Sequence, residues 1–271
     1  DFGSGPTNQI AALSRAGYFT SAVSNLNALP ALAHATNEAW SREWRVRSYL
    51  HANCAQCHQP GGAGLSSWDA RYHNPLSASG LIRGALDDAR GDTNNRVVVP
   101  GGLAHSMLHT RIATRGQGQM PPLATSVLDT EAIALMASWI TNDLAGYQSF
   151  QEWQIARFGA TNAPNAGAYD DADADGAPNH QEWLTGTDPN SNSDYWSIRA
   201  SANGQSIAVS VPQIANRGFE VERTLSMSPT TWRPIDVVAN RPFFSATNRL
   251  LTVEDPTNAP AGFYRVRVFE P

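Results

Sequence analysis

The chain has 271 residues, of which 41% are hydrophobic and 16% charged, and this composition is typical of a soluble globular protein. Its length is sufficient for about two domains. A net charge of −5 gives no reason to expect nucleic acid or an anionic membrane as a partner. The sequence also lacks an apolar run of about 18 residues, so it predicts no transmembrane segment.

Two helices are predicted before the first cysteine. Thr7 and Gly17 suit the two ends of a short helix. Residues 38–53 carry a stronger pattern, with tryptophans and aliphatic residues at spacings of three and four. This second helix leads directly into Cys54, so its end positions the motif that follows.

Cys54, Cys57 and His58 form a C-x-x-C-H sequence, the attachment motif for a c-type haem. Each thiol can add to one vinyl group of a porphyrin, and the histidine then supplies the proximal nitrogen ligand to the iron. The chain has no other cysteine. A redox-active C-x-x-C is the alternative, but that motif is typical of a thioredoxin-like βαβ pattern, which the surrounding sequence lacks.

A glycine-rich run and three further helices are predicted after the motif. Residues 59–64 allow the backbone to pass close to a flat cofactor. Apolar spacing predicts helices at 76–89, 104–114 and 129–142. Residues 38–146 therefore predict a small all-α domain built around one haem attachment motif.

Three methionines of this domain are candidates for the sixth ligand of the iron. Met107 and Met136 lie on apolar helical faces, where methionine usually fills the core. Met120 lies in an irregular loop and precedes two prolines that stiffen it, which favours Met120 as the distal ligand. Such ligation leaves no open position for substrate at the iron. The alternative ligands are histidines, namely His51, His73, His105 and His109.

Residues 45–141 resemble the monohaem c-type cytochrome domains of bacterial periplasmic and outer-surface redox proteins. The matching segments are R-S-Y-L-H-A-N-C-A-Q-C-H-Q-P-G-G at 47–62, M-P-P at 120–122 and W-I at 139–140. Some proteins with such a domain also carry a quinoprotein sugar-dehydrogenase propeller.

The resemblance implies that Cys54 and Cys57 anchor one haem c covalently, that His58 is its proximal ligand and that Met120 is its distal ligand. The haem propionates need cationic partners, because guanidinium groups pair well with carboxylates. The candidate arginines are Arg71, Arg96 and Arg111.

The predicted function is electron transfer by an exported carrier, which is not itself an enzyme. Its expected partners are a donor dehydrogenase and an acceptor cytochrome or oxidase. Haem c is attached outside the cytoplasmic membrane, so a periplasmic or extracellular location is expected. The leading alternative is the electron-outlet domain of a larger quinoprotein-type dehydrogenase whose catalytic part lies N-terminal to this chain. Peroxidase-like chemistry and a surface adhesion module are weaker alternatives.

A second metal is predicted in the segment that starts at Asp171. Residues 171–182 match the twelve-residue calcium loop D-x-D-x-D-G-x5-E. The segment also resembles thrombospondin type 3-like repeats of secreted bacterial proteins, which favours a structural clamp. A second calcium ion at 188–194 is a further possibility, with a polar linker as the alternative. The predicted ligands of the first ion are Asp171, Asp173, Asp175, the carbonyl of Ala177, Asn179 and Glu182.

From residue 195 onwards the apolar pattern changes to a period of two. Asn203 and Gly204 predict a hairpin turn, and alternating segments predict six or seven strands. An antiparallel β-sandwich is expected, and it resembles the immunoglobulin- or fibronectin-like modules at the ends of exported bacterial proteins. A carbohydrate-binding face on this module is an alternative use of its aromatic residues.

The predicted fold class is therefore multidomain, with an all-α cytochrome c-like domain, a calcium-binding loop-helix linker and a C-terminal antiparallel β-sandwich. The predicted boundaries are 1–37 for an N-terminal helical extension, 38–146 for the cytochrome c domain, 147–194 for the calcium-binding linker and 195–271 for the β-sandwich.

Overall fold

The computed structural model describes residues 8–21, 23, 31–65, 67–123, 125–203, 206–241, 244–256 and 262–271. The predicted helix cap at Thr7 and the Gly204 position of the predicted turn lie outside these ranges. Within them, no helix has both the length and the apolar character needed to cross a membrane.

The helices begin and end at residues that suit those positions. Ser41 accepts a hydrogen bond from the Trp44 N–H at 3.1 Å, and Asp129 accepts one from the Ala132 N–H at 3.0 Å. The α-helices are α1 Gln9–Arg15, α2 Arg42–Cys54, α3 Met107–Ile112, α4 Thr130–Ser138, α5 Phe150–Phe158 and α6 Asn179–Thr185. Shorter helical turns cover Leu76–Ala78, Leu103–His105, Trp139–Asp143, Leu144–Gly146 and Val238–Asn240.

The main core of the N-terminal half lies between α2 and α4. Val46 and Leu50 on α2 pack with Met136 on α4 and with Trp139 and Ile140 in the turn after it, and all five are fully buried. Burying each such side chain contributes about 1.5–3 kcal/mol before conformational entropy is subtracted. The helix that ends at the haem attachment motif is therefore anchored by this core.

The predicted all-α character of the cytochrome segment is wrong. In the structure, 28% of residues are helical and 18% are in strands that form two antiparallel sheets, which is not an all-α arrangement. Between α2 and α3 the described residues contain no α-helix, and the helix predicted at 76–89 is only the short turn Leu76–Ala78. The helices predicted at 104–114 and 129–142 do form, as the shorter α3 and as α4 with the turn that follows it.

Backbone pairing explains why residues 76–89 are not a helix. Gly80 has a φ of +69°, which ends the helical turn. The Leu81 carbonyl accepts from the Val98 N–H at 3.1 Å, and the Arg83 N–H donates to the Val98 carbonyl at 2.8 Å. These groups bond to a distant segment, so they are not available for a helix.

The C-terminal part is a β region, as the period of two indicates. Its described strands form two three-stranded antiparallel sheets, ordered β1-β2-β5 and β4-β3-β6. One hydrophobic cluster joins both sheets, with Val209, Val211, Phe219, Val221 and Val253 fully buried in it. The strands are β1 Arg199–Asn203, β2 Ser206–Gln213, β3 Gly218–Thr224, β4 Arg233–Pro234, β5 Arg249–Asp255 and β6 Phe263–Phe269.

The beginning of α2 packs against this β region. The Ser41 N–H donates to the Phe244 carbonyl at 2.8 Å, and the rings of Trp44 and Phe244 lie 4.6 Å apart. The Asn216 side chain donates to the Glu43 carboxylate at 3.0 Å. Glu43 is buried, and burial raises its pKa above the ordinary value. One helix therefore contacts the core of the N-terminal half and the β region together.

We predict that Asn240→Ala destabilises the protein by about 2–4 kcal/mol, because it leaves buried backbone groups without partners. The Asn240 amide accepts from the Val221 N–H at 2.6 Å and donates to the carbonyls of Val221 and Ile235 at 2.7 and 2.8 Å. Denaturant unfolding followed by circular dichroism measures the change. The exposed Asn94 provides the control, and Asn94→Ala should change the free energy of unfolding by less than about 0.5 kcal/mol. Equal effects would contradict this role of Asn240.

Candidate functional site

The haem attachment motif begins at the last residue of α2 and continues in a tight turn. The N–H groups of Cys57 and His58 both donate to the Cys54 carbonyl, at 3.0 and 2.8 Å. Both thiols are partly buried and are not joined in a disulfide. Burial raises the pKa of the Cys54 thiol to about 12, and the nearby Cys57 acts in the same direction. The turn thus places the two thiols and the imidazole close together at one helix end.

The His58 ring lies against a buried tryptophan. Its centroid is 4.3 Å from that of Trp68, and the two rings are nearly parallel at 19°. The His58 carbonyl also accepts from the Ala70 N–H at 2.9 Å. Burial lowers the pKa of His58, which favours the neutral imidazole that binds metals. Stacking covers a face of the ring, whereas the two nitrogens lie on its edge.

The glycine-rich run packs tightly under the motif. The Gly64 N–H donates to the Cys57 carbonyl at 2.9 Å. A Cβ atom at Gly64 would lie 2.9 Å from both that carbonyl and His58 Nδ1. A Cβ at Gly62 would lie only 2.3 Å from the same carbonyl. Both positions therefore require glycine because the motif itself packs against them, and the predicted close approach to a flat cofactor stays a prediction.

Met120 lies in a loop connected to α3. Its N–H donates to the Arg111 carbonyl at 3.0 Å, and its side chain is partly exposed. By contrast, Met107 and Met136 are buried in the core. Of these three methionines, Met120 is the one that can turn towards a cofactor without unpacking the core.

The segment after Met120 returns to the end of α2. Tyr49 on α2 is partly buried, and Asp129 and Cys54 lie close enough to influence its pKa. Burial, followed by the Asp129 charge, raises the pKa of Tyr49 to about 12. The start of α4, which follows the loop of Met120, therefore lies close to α2.

Three exposed apolar side chains lie in the loops that carry His58 and Met120. Leu65 is 89% exposed, while Leu123 and Val127 are each 79% exposed. A flat apolar cofactor between these loops would cover such side chains, which otherwise cost free energy in water. Sequence reasoning missed them, although large aliphatic residues in polar loops were a signal that could have identified them.

The three arginines predicted to pair with propionates all have protein partners. Arg71 forms a bidentate salt bridge with Asp69, and its shortest N–O distance is 2.7 Å. The hydrogen bonds from Arg71 lower the pKa of Asp69. Arg96 donates to the carbonyls of Thr93 and Asn95, both at 2.7 Å. Arg111 lies 3.6 Å from Asp88. Their propionate roles stay predictions.

The predicted calcium loop brings its carboxylates together. Ligand atoms of Asp171, Asp173 and Asp175 lie within 4.8 Å of one another. Glu182 on α6 is fully buried, and its pKa is raised to about 7 by burial and then by Asp173 and Asp175. Gly176 has a φ of +98°, which the sharp turn of such a loop requires.

Several oxygens of this loop are buried without a hydrogen-bond partner. They are Asp173 Oδ2, Asp175 Oδ2, Asn179 Oδ1 and Glu182 Oε2. Ala177, predicted to supply a carbonyl, is buried beside them, and its N–H donates to Asp175 at 2.7 Å. At the possible second calcium site, 188–194, Asp188 pairs with Arg157 at 3.4 Å, and that site stays a prediction.

Comparison with known proteins supports the first of these two sites. Residues 45–140 match the family model described as cytochrome C oxidase, cbb3-type, subunit III. The match supports a c-type cytochrome domain within the chain, and such a domain implies covalently bound haem and electron transfer. No curated protein and no solved structure matches the chain. The resemblances to thrombospondin type 3-like repeats and immunoglobulin-like modules stay predictions.

We predict that Gly64→Ala destabilises the protein by about 1–3 kcal/mol, because the new methyl group overlaps His58 and the Cys57 carbonyl. Gly146→Ala is the matched control, since a Cβ at Gly146 meets no atom within 4 Å. Unfolding in guanidinium chloride measures both changes. If the two variants lose the same stability, the tight packing under His58 is not the cause.

Proposed function

We propose that the chain is an exported electron carrier with a single haem c, attached through Cys54 and Cys57 and ligated by His58 and Met120. The observation that carries the proposal is the position of the C-x-x-C-H motif at the end of buried helix α2, within a segment that matches a cytochrome family model. Met120 precedes α4, whose N-cap Asp129 lies close enough to Tyr49 on α2 to raise its pKa.

The residues around the motif fit a haem group. Gly62 and Gly64 leave room for the backbone to turn under the imidazole, which Trp68 supports on one face. Leu65 and Leu123 can cover the faces of a porphyrin and exclude water from it. The bound haem supplies an iron that exchanges one electron between Fe(III) and Fe(II).

We propose Met120 as the ligand because the other two methionines of the domain are buried in the core. Met136 on α4 packs with Val46 and Leu50 of α2, and Met107 is buried at the start of α3. A thioether ligand raises the reduction potential relative to a second histidine. It also fills the iron's coordination, which suits a carrier rather than a catalyst.

Export to the periplasm or cell exterior is part of this proposal, because haem c is attached there. A dehydrogenase donor and a cytochrome or oxidase acceptor are the proposed partners. The same site also suits the electron-outlet domain of a larger dehydrogenase, because either role needs one haem with no open coordination position.

Replacing Met120 tests the ligation. We expect Met120→Ala to abolish the long-wavelength charge-transfer band of the oxidised protein and to lower its reduction potential, because the thioether is lost. Met227 is a matched control, since it is exposed and lies in the β region. Met227→Ala should leave both the spectrum and the potential unchanged. Persistence of the band in Met120→Ala would identify another ligand and overturn this assignment.

We further propose that the loop from Asp171 to Glu182 binds one calcium ion as a structural clamp. Oxygen ligands at this spacing suit Ca²⁺. The unpartnered oxygens of Asp173, Asp175, Asn179 and Glu182 support the proposal, because buried acceptors without donors are costly unless a cation satisfies them. The ion would fasten the loop to α6 between the cytochrome domain and the β region.

Calcium should therefore stabilise the protein against heat. At a free concentration of about 100 times the dissociation constant, calcium contributes about 2.7 kcal/mol, which raises Tm by several degrees. We expect Glu182→Gln to lose most of this rise in Tm, because it removes a buried charged ligand. Asp87→Asn, at an exposed site outside the loop, should retain it. Scanning calorimetry with calcium or a chelator measures the effect, and an unchanged Tm in the native protein would disprove the clamp.

A further inference from the structure

A cavity of about 840 Å³ lies where the cytochrome domain, α6 and the β region meet. The lining residues do not include Cys54, Cys57, His58 or Met120, so the cavity is separate from the haem site. Its size is within the range of about 300–1,000 Å³ that small-molecule sites occupy. The aromatic lining residues include Trp40, Trp44, Tyr72, Trp183, Phe244 and Phe269.

The aromatic lining residues pack on one another, with Trp44 and Phe244 buried and Trp40, Tyr72 and Phe269 partly exposed beside them. Trp44 lies 6.2 Å from Trp40 at an angle of 38° and 6.0 Å from Tyr72 at 89°. Phe244 and Phe269 meet edge to face at 5.8 Å. Aromatic groups favour such offset and edge-to-face arrangements, so an aromatic ring is the group that these walls suit best.

The charged lining favours an anion. Arg241, Arg249 and Arg267 line the cavity from the β region, against one acidic side chain, Glu270. Glu270 accepts a hydrogen bond from the Ser77 hydroxyl at 2.5 Å. Cationic side chains are therefore in excess on this surface.

Arg241 has no ion-pair or hydrogen-bond partner for its guanidinium among the described residues. The other two arginines are engaged, since Arg249 donates to Gln213 at 2.8 Å and Arg267 pairs with Glu220 at 2.9 Å. A guanidinium forms its strongest hydrogen bonds with a carboxylate, which it can bind with two parallel N–H groups. Of the three lining arginines, Arg241 is thus the one whose guanidinium N–H groups can donate to a ligand.

We infer that this cavity binds a small aromatic anion, with its ring against the tryptophan and phenylalanine walls and its carboxylate on Arg241. The ligand would contact Trp44 on α2, Trp183 on α6 and Phe269 on β6. Binding would therefore hold three parts of the chain together. The contact with α2 also places the ligand on the helix that ends at Cys54.

Calorimetric titration of the full haem-loaded protein with 2-naphthoate tests the inference. We expect saturable binding that Arg241→Gln weakens about tenfold or more, because a charge-assisted hydrogen bond is lost. Arg199→Gln, at an exposed arginine outside the cavity lining, should bind as the native protein does. The neutral analogue 2-naphthylmethanol should bind at least tenfold more weakly than 2-naphthoate.

A second variant separates ligand binding from folding. Ala239 lines the cavity and is exposed, so Ala239→Trp should fill the space and abolish binding while all three arginines remain. Equal affinity in native and Arg241→Gln proteins, equal affinity for the neutral analogue, or no binding at millimolar concentration would each overturn the inference. The haem ligation is tested independently, because Met120→Ala should bind 2-naphthoate unchanged.

Discussion

The packing of α2 is the constraint on which the rest of the structure depends. Val46 and Leu50 bury one side of the helix in the N-terminal core, while Trp44 packs on Phe244 of the β region. The last residue of the same helix is Cys54. Packing against both regions fixes the position of α2. The core that stabilises the fold therefore also positions the haem attachment site at the end of this helix.

Two buried charged residues on α2, Arg47 and Glu43, fix where the helix lies, although burying their charges costs free energy. Arg47 is fully buried and donates to the carbonyls of Arg71, at 3.1 Å, and Asn74, yet its Nε and Nη1 atoms have no hydrogen-bond partner. Burial lowers the pKa of Arg47 and raises that of Glu43, because each charge loses its hydration. Such desolvation is costly, and we interpret the two residues as fixing the helix against the segment after Trp68 and against the β region.

Local sequence patterns predicted the parts of this structure that depend on nearby residues. The periodicity of residues 38–53 and the change to strands beyond residue 195 both predicted the observed elements, α2 and the β region. The helix predicted at 76–89 failed because its carbonyls bond to Val97 and Val98, and amphipathic spacing carries no information about such distant pairing. Similarly, composition could suggest Arg71 as a propionate partner but could not show that Asp69 already binds it.

The two candidate metal sites differ in how far apart their ligands lie in the sequence. All the proposed calcium ligands come from twelve consecutive residues, the last four of which begin α6. The sequence is therefore sufficient to propose the complete ligand set. The proposed haem site combines a motif at the end of α2 with a loop that follows α3, and only tertiary packing can bring these two segments together. A sequence motif can therefore identify the proximal side of the haem, whereas the distal ligand depends on how the chain closes around it. The burial of Met107 and Met136 favours Met120 among the methionines, because a buried side chain would have to leave its packing to reach an iron.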